Sequence, residues 1–363
     1  MKNHILFFII LSLTFSGAFA LETATARHKK DNPSNLHYKG VDYYAGDTIR
    51  GYKDYVYLIV GDMGSPLLLG VPHDGVEKGS PEIPETGTTG RDIHTGPFAE
   101  AIAMLFEKDT QMKPWVMVNA IHRKRVDPNT YPDKLHERYT DPEAIKTYHS
   151  YHELLLLARN TLAKNRQGGN GALFLDIHGH AHRYQQEEAY TSVLTGEETK
   201  SRYIFQVDVG YGISNYSLTQ DDAYLDHLAD SSSIFYLSKA HPDVPFSELI
   251  RGANSFGGLL EAEGVIAVPS DKMTHLERDE HLFGSTSNGE PKRRPYFNGG
   301  YCTRKYGTIQ KGKTIGFDDN IISIQIETPG INVRNNAAIR ERSAHQFKEA
   351  LVNYLNHWMG YSF

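Results

Sequence analysis

The 363-residue chain has a single cysteine, Cys302. One thiol closes no internal disulfide, so stability has to come from core burial, which a chain of this length can supply. Basic charge is also scarce. With 38 Lys and Arg against 44 Asp and Glu, the formal net charge is −6, which gives no electrostatic reason to expect nucleic acid as a partner. The apolar stretch near the N-terminus, Ile5 to Phe15, is short for the roughly 20 residues of a membrane span. Gly61-Asp62-Met63-Gly64-Ser65 does not form the Gly-x-Ser-x-Gly elbow, which argues against a serine hydrolase. No internal repeat is evident.

What remains is ordinary globular composition, 39% hydrophobic and 23% charged. Residues 1–20 read as a secretory signal: Lys2 gives the positive start, Ile5 to Phe15 the apolar stretch, and Ala18-Phe19-Ala20 the small-x-small cleavage site. The expected product is secreted, extracellular or periplasmic, with no membrane association after cleavage. Residues 21–45 are expected to form an extended lead-in, and 46–363 a single domain.

Strand-like runs cover Tyr55 to Val60, Pro66 to Val71, Trp115 to Asn119, Ala172 to Ile177, Val265 to Val268 and Asn320 to Glu327. Thr95 to Glu107 carries a helical stripe of Phe98, Ile102, Leu105 and Phe106. Asp141-Pro142-Glu143 starts a helix that reaches Lys164, and Ala337 to Met359 closes the chain as another. Asp222 to Ala240 and Pro245 to Ala262 read as mainly helical, and Ser285 to Arg294 as a polar loop. Strands alternating with helices predict an α/β fold: one domain, a central mixed and mostly parallel sheet, and helices on both faces.

The most informative stretch is Ala172 to His182. An apolar strand runs into His178, His180 and His182, with Gly179 loosening the backbone. Strand carboxyl ends in such sheets open into one crevice, and neutral imidazole is the commonest protein metal ligand. Three further features fall at strand ends: His73, the stretch Asn119 to Asn129, and Glu327 to Gly330. Asp176 is placed one position off the His178 face, where it would bond backbone or support the histidine.

Val71-Pro72-His73-Asp74-Gly75, Arg91-Asp92-Ile93-His94-Thr95, Arg125-Val126-Asp127-Pro128-Asn129, Leu175-Asp176-Ile177-His178 and Ile324-Gln325-Ile326-Glu327 occur in that order. In this the chain resembles the N-formylglutamate amidohydrolase family, relatives of the zinc carboxypeptidases. The resemblance implies one zinc ion held by His73 and His178, a carboxylate as third ligand, and an open coordination place. Asp92 matches the family's acidic position; Glu77, four residues past His73, is the rival. Glu327 would act as general base on water and then pass the proton to the leaving amine. Val126-Asp127-Pro128-Asn129 is similar to the carboxypeptidase Val-Asp-x-Asn-Arg segment, whose Asn and Arg hold a substrate carboxylate. Here Thr130 stands in place of that arginine, and Arg123 or Arg125 is expected to substitute.

Each residue alone has a plainer reading: a loop histidine for His73, a solvated run for Arg123-Lys124-Arg125, an Asx-turn for Asn129, a core-edge carboxylate for Glu327. The set argues for a site. Its substrate-contacting members are Arg123, Arg125, Asn129 and His180, with Arg304 on the loop Asn298 to Arg304 as part of a lid. The expected function is zinc-dependent hydrolysis of an amide or peptide bond next to a carboxylate-bearing group, an acyl-amino acid or glutamyl unit, in a small-molecule or peptide substrate. Iron, cobalt or nickel would suit the same ligands. The alternative is a secreted metal- or ligand-binding protein on a hydrolase fold without turnover, which Thr130 favours.

Overall fold

Alternation along the strands sets the two faces of the central sheet. The computed structural model describes residues 35–87, 90–165, 170–180, 189–191, 197–200, 206–276, 296–308 and 315–363. The expected signal, most of the lead-in, His182 and Ser285 to Arg294 lie outside them. Eight strands build the sheet: β1 (Thr48–Arg50), β2 (Val56–Ile59), β3 (Leu67–Val71), β4 (Trp115–Asn119), β5 (Ala172–His180), β6 (Val207–Gly210), β7 (Ala267–Val268) and β8 (Ile321–Pro329). Their spatial order is β7-β6-β8-β5-β3-β4-β2-β1. The pairs β8–β5, β5–β3, β3–β4 and β6–β7 are parallel; β6–β8, β4–β2 and β2–β1 are antiparallel. The sheet is mixed and mostly parallel, as the element pattern predicts.

In β5, Leu173, Leu175 and Ile177 pack with Phe98, Ile102 and Phe347, while Ala172 and Phe174 pack on the opposite face with Leu154, Leu155 and Tyr306. The first face is covered by α1 (Thr95–Thr110), by α4 (Phe256–Ala262) and by α6 (Ala337–Met359); the second by α3 (Pro142–Lys164) and by α5 (Tyr301–Tyr306). A period of two with both faces buried is what a covered sheet requires. Helix α3 starts where the sequence predicts, because Asp141 accepts from the backbone N–H groups of Glu143 and Ala144. No helix among the described residues is long and apolar enough to cross a membrane.

Four elements were not legible from the pattern: β1, the helix α2 (Pro132–Arg138), β6 and α5, whose helix takes in Tyr301 to Arg304 of the expected lid loop Asn298 to Arg304 and packs on the sheet. The helical reading of Asp222 to Ala240 is broken into Asp222–Asp226, Ala229–Ser231 and Phe235–Ala240. Pro245 to Ala262 divides at Gly252, after which Ser255 caps α4. The lead-in is not wholly extended, since Leu36–Tyr38 pairs antiparallel with Val41–Tyr43. A second small pair joins Ala189–Thr191 to Glu198–Lys200.

Candidate functional site

The four central parallel strands bring their carboxyl ends together, and the site grows from those ends. His73 lies two residues past β3, and Asp92 in the turn before α1. His178 and Glu327 are register partners near the ends of β5 and β8. Side chains at positions 176 and 178 of β5 and 325 and 327 of β8 share the face covered by α3 and α5. The strip is polar, whereas Ile177, Ile324 and Ile326 enter the core behind it. One-residue alternation thus separates chemistry from packing.

His73 Nδ1, His178 Nδ1 and Asp92 Oδ2 converge. The separations are 3.0 Å between the two nitrogens, 3.2 Å from His73 to Asp92 and 3.3 Å from His178 to Asp92. All three residues are buried, and together they can hold a metal ion. His73 Nε2 lies 2.7 Å from Asp127 Oδ1, and an N–H there donates to that carboxylate. His178 Nε2 lies 3.2 Å from Asp176 Oδ2 and 3.0 Å from Asn129 Nδ2; the carboxylate is the neighbour able to accept from it. With each proton held on the outer nitrogen, both Nδ1 lone pairs point at each other and at Asp92. Such a triangle of acceptors calls for a cation. Donors about 2.0–2.1 Å from a tetrahedral ion lie roughly 3.3–3.4 Å apart, so the residues fit zinc or a similar ion.

Charge around the triangle is arranged in the same sense. Burial opposes ionisation of Asp92, but the His73 and His178 rings outweigh it and hold the carboxyl well below the usual range. Burial likewise opposes charge on His178, and Asp176, Asp92 and Glu327 outweigh it, raising its proton affinity well above the ordinary value. Asp127 is depressed against its burial by His73 and Arg123. Glu327 differs: burial, with Asp92 and Asp208 nearby, pushes it up to about 8 despite the pull of His178 and Arg123. Its Oε1 lies 4.0 Å from His178 Nδ1 and accepts from Gln325 Nε2 at 3.2 Å. A cavity of about 530 Å³ opens above these groups, with Arg123, Asn129, Tyr131, His180 and Phe297 also among its lining.

No family model and no curated protein matches the chain. Among solved structures it is similar to N-formylglutamate amidohydrolase from Ralstonia eutropha JMP134, with a TM-score of 0.36, 12% identity, and 81% of this chain and 93% of that one covered. It is also similar to a candidate metallopeptidase from Shewanella denitrificans OS217, with a TM-score of 0.31, 12% identity, and 99% and 100% covered. Both likenesses are distant.

Of the two acids considered as third ligand, the structure brings Asp92 to the histidines and leaves Glu77 out. Glu77 is exposed, and its backbone pairs with Ile121 at the edge of the loop. Arg123 lines the cavity, but its two terminal nitrogens pair with Asp92 (3.0 Å) and Asp127 (3.2 Å). It therefore holds two carboxylates of the site, and its Nε makes no hydrogen bond. Arg125 does not line the cavity. It binds Glu82 at 2.5 Å and Glu85 at 2.9 Å and donates to the Ile83 carbonyl, tying down the loop that precedes residue 87. Arg304 is likewise absent from the lining; it donates to the carbonyls of Gly299 and Gly212, bracing the cavity wall from behind. Asn129 does face the cavity, with its Oδ1 accepting from Cys302 N at 2.7 Å. His180 lines it too, parallel to the Phe297 ring.

Asp176 corrects the expectation made for it. Residues two apart on a strand share a face, so Asp176 stands beside His178 rather than off its face. Asp127, Gln325 and Asp208 were not singled out from the sequence. Asp208 lies on β6 opposite Glu327 and is fully buried; it accepts from Gln206 Nε2 and Phe297 N, and burial raises it to about 7. The alternation Gln206-Val207-Asp208-Val209 was the available signal for that strand.

Proposed function

We propose that the chain is a secreted, zinc-dependent hydrolase of C–N bonds in amides or peptides, acting next to a carboxylate-bearing group. One observation carries the reading: three buried acceptors meet within 3.3 Å of one another, with a carboxyl group beside them at the floor of a cavity. His73, Asp92 and His178 would hold the ion. Bound there, a divalent ion supplies Lewis acidity toward a carbonyl oxygen and water.

The chain's own residues do the rest. Asp127 and Asp176 keep the histidine protons on the outer nitrogens. Arg123 balances the charge of Asp92 and Asp127, so the cluster tolerates its burial. In its ionised form Glu327, oriented by Gln325 at Oε1, takes a proton from the attacking water and gives it to the departing nitrogen. The Asn129 amide faces the cavity as a donor for the substrate's polar end. Arg123 is taken up by Asp92 and Asp127, and Arg125 and Arg304 are committed elsewhere, so Asn129 is the polar group left for the substrate's carboxylate end.

The test is Glu327→Gln, assayed on a panel of N-acyl amino acids and C-terminal peptides alongside wild type. The variant should keep its metal and lose at least about 10²-fold in rate. A chelator should abolish wild-type turnover and added metal restore it. Full activity in a folded, metal-loaded Glu327→Gln variant removes the residue from the reaction. Stoichiometric metal in both His73→Ala and His178→Ala removes the site. A protein that binds metal but turns over nothing in the panel is the binding protein instead.

A further inference from the structure

Arg334 ends the irregular turn Gly330–Arg334 that follows β8. Only 4% of it is exposed, and among the described residues no carboxylate pairs with it. Its guanidinium donates instead to main-chain carbonyls. Nε and Nη2 reach Thr328 O at 3.1 and 3.0 Å, Nη2 reaches His180 O at 3.1 Å, and Nη1 donates to Ile93 O. The choice of carbonyls is informative. Ile93 directly follows Asp92, Thr328 directly follows Glu327, and His180 lies two past His178. One planar fork thus ties together the chain just downstream of two candidate ligands and of the candidate base.

The surroundings are shaped to that fork. Gly179 sits between His178 and His180, and a Cβ there would lie 2.3 Å from Arg334 Nη2 and 2.4 Å from Cζ. Glycine is required for close approach of the guanidinium, and the strand itself runs on through His180 without loosening. The same glycine's N–H donates to Asp92 Oδ2 at 3.1 Å. Thr328 in turn donates its hydroxyl to His178 O at 2.8 Å. Five donors in a rigid plane can span three separate chain segments; an ammonium on a flexible stem cannot hold them at fixed spacing.

We infer that Arg334, with the space left by Gly179, is a positioning residue for the metal centre: it sets the mutual placement of Asp92, His178 and Glu327 without touching ion or substrate. This rests on the reading of the site as a metal centre. The test uses the full chain loaded with cobalt(II), whose visible spectrum reports the ligand geometry. Arg334→Lys keeps the charge and loses the fork. Gly179→Ala keeps the arginine and displaces it. Both should retain the wild-type far-ultraviolet spectrum, bind cobalt about 10- to 100-fold more weakly, and show an altered visible spectrum. Arg159→Lys is the control, since Arg159 is equally buried but pairs with Asp319 away from the centre; it should leave cobalt affinity and spectrum as in wild type. Should Arg334→Lys fail to fold, Gly179→Ala decides alone. Wild-type cobalt binding with unchanged affinity and spectrum in the folded variants overturns the role of Arg334 and leaves the metal centre standing. A wild-type chain that takes up no cobalt overturns the metal centre, and the inference with it.

Discussion

Asp127 determines which nitrogen of His73 faces the centre, because a carboxylate 2.7 Å from Nε2 can only accept from it. An amide in its place can accept or donate, so Asp127→Asn relaxes the choice of tautomer. Metal affinity should fall about 10- to 100-fold, measured by competition against a coloured chelator. An unchanged affinity would show that His73 is oriented by packing alone. Asp208 makes a different prediction, about pH. Its folded pKa, about 7, lies above its ordinary value of 3.8, and burial is the main cause. The folded state therefore holds this proton more tightly than the unfolded chain does. The contribution to stability is complete below about pH 4, declines as pH rises toward 7, and is lost above it, at roughly 1.4 kcal/mol per pH unit. Asp208→Asn has no such slope. Relative to wild type it should gain a few kcal/mol between pH 4 and pH 8, read from urea midpoints. Parallel profiles for the two proteins would exclude a buried, titrating Asp208.

Among the elements, α1 joins two of the candidate ligands. Asp74 directly follows His73, and its carboxylate accepts from the N–H groups of His94 and Gly96 at the start of the helix that follows Asp92. The usual capping geometry is thus made by a residue 20 positions upstream. Asp74→Ala should cost about 1–2 kcal/mol and weaken metal binding in step; an unfolding midpoint equal to wild type would mean water replaces the cap at no cost. Elements of this kind were legible only in part. Strands β3, β4, β5 and β8 announce themselves because apolar runs end in histidine, asparagine or glutamate, and helix α3 because Asp141 caps a proline. The family's acidic position favours Asp92 over Glu77, and the structure brings Asp92 to the histidines; what the sequence does not show is why Glu77 fails, its backbone pairing with Ile121 while the acid is exposed. Nor could the run Arg123-Lys124-Arg125 reveal that one arginine clamps the site's own acids while the other binds Glu82 and Glu85. Arg334 left no trace, since its partners are carbonyls, which every residue carries.

For the molecule as a whole, the question is whether an ion held as proposed by His73, Asp92 and His178 would be needed for folding or only for chemistry. His73, Asp92 and His178 come from three separate segments, so the unfolded chain offers no preformed site, and binding energy adds to folding stability. Yet the sheet is covered on both faces by apolar clusters that do not involve the centre, and a core of that extent should fold without metal, unlike a small zinc domain. The metal-free protein should therefore stay folded at room temperature and melt lower. Free zinc at about 1,000 times its dissociation constant should add roughly 4 kcal/mol. His73→Ala and His178→Ala should melt near the chelated wild type and not respond to zinc, because the triangle that would bind it is gone. Thermal unfolding of the three proteins, with chelator and with graded zinc, decides the matter. A wild-type melting temperature indifferent to zinc would place any ion outside the three-segment centre. Collapse of the chelated protein at room temperature would show that the two apolar clusters do not hold the fold by themselves.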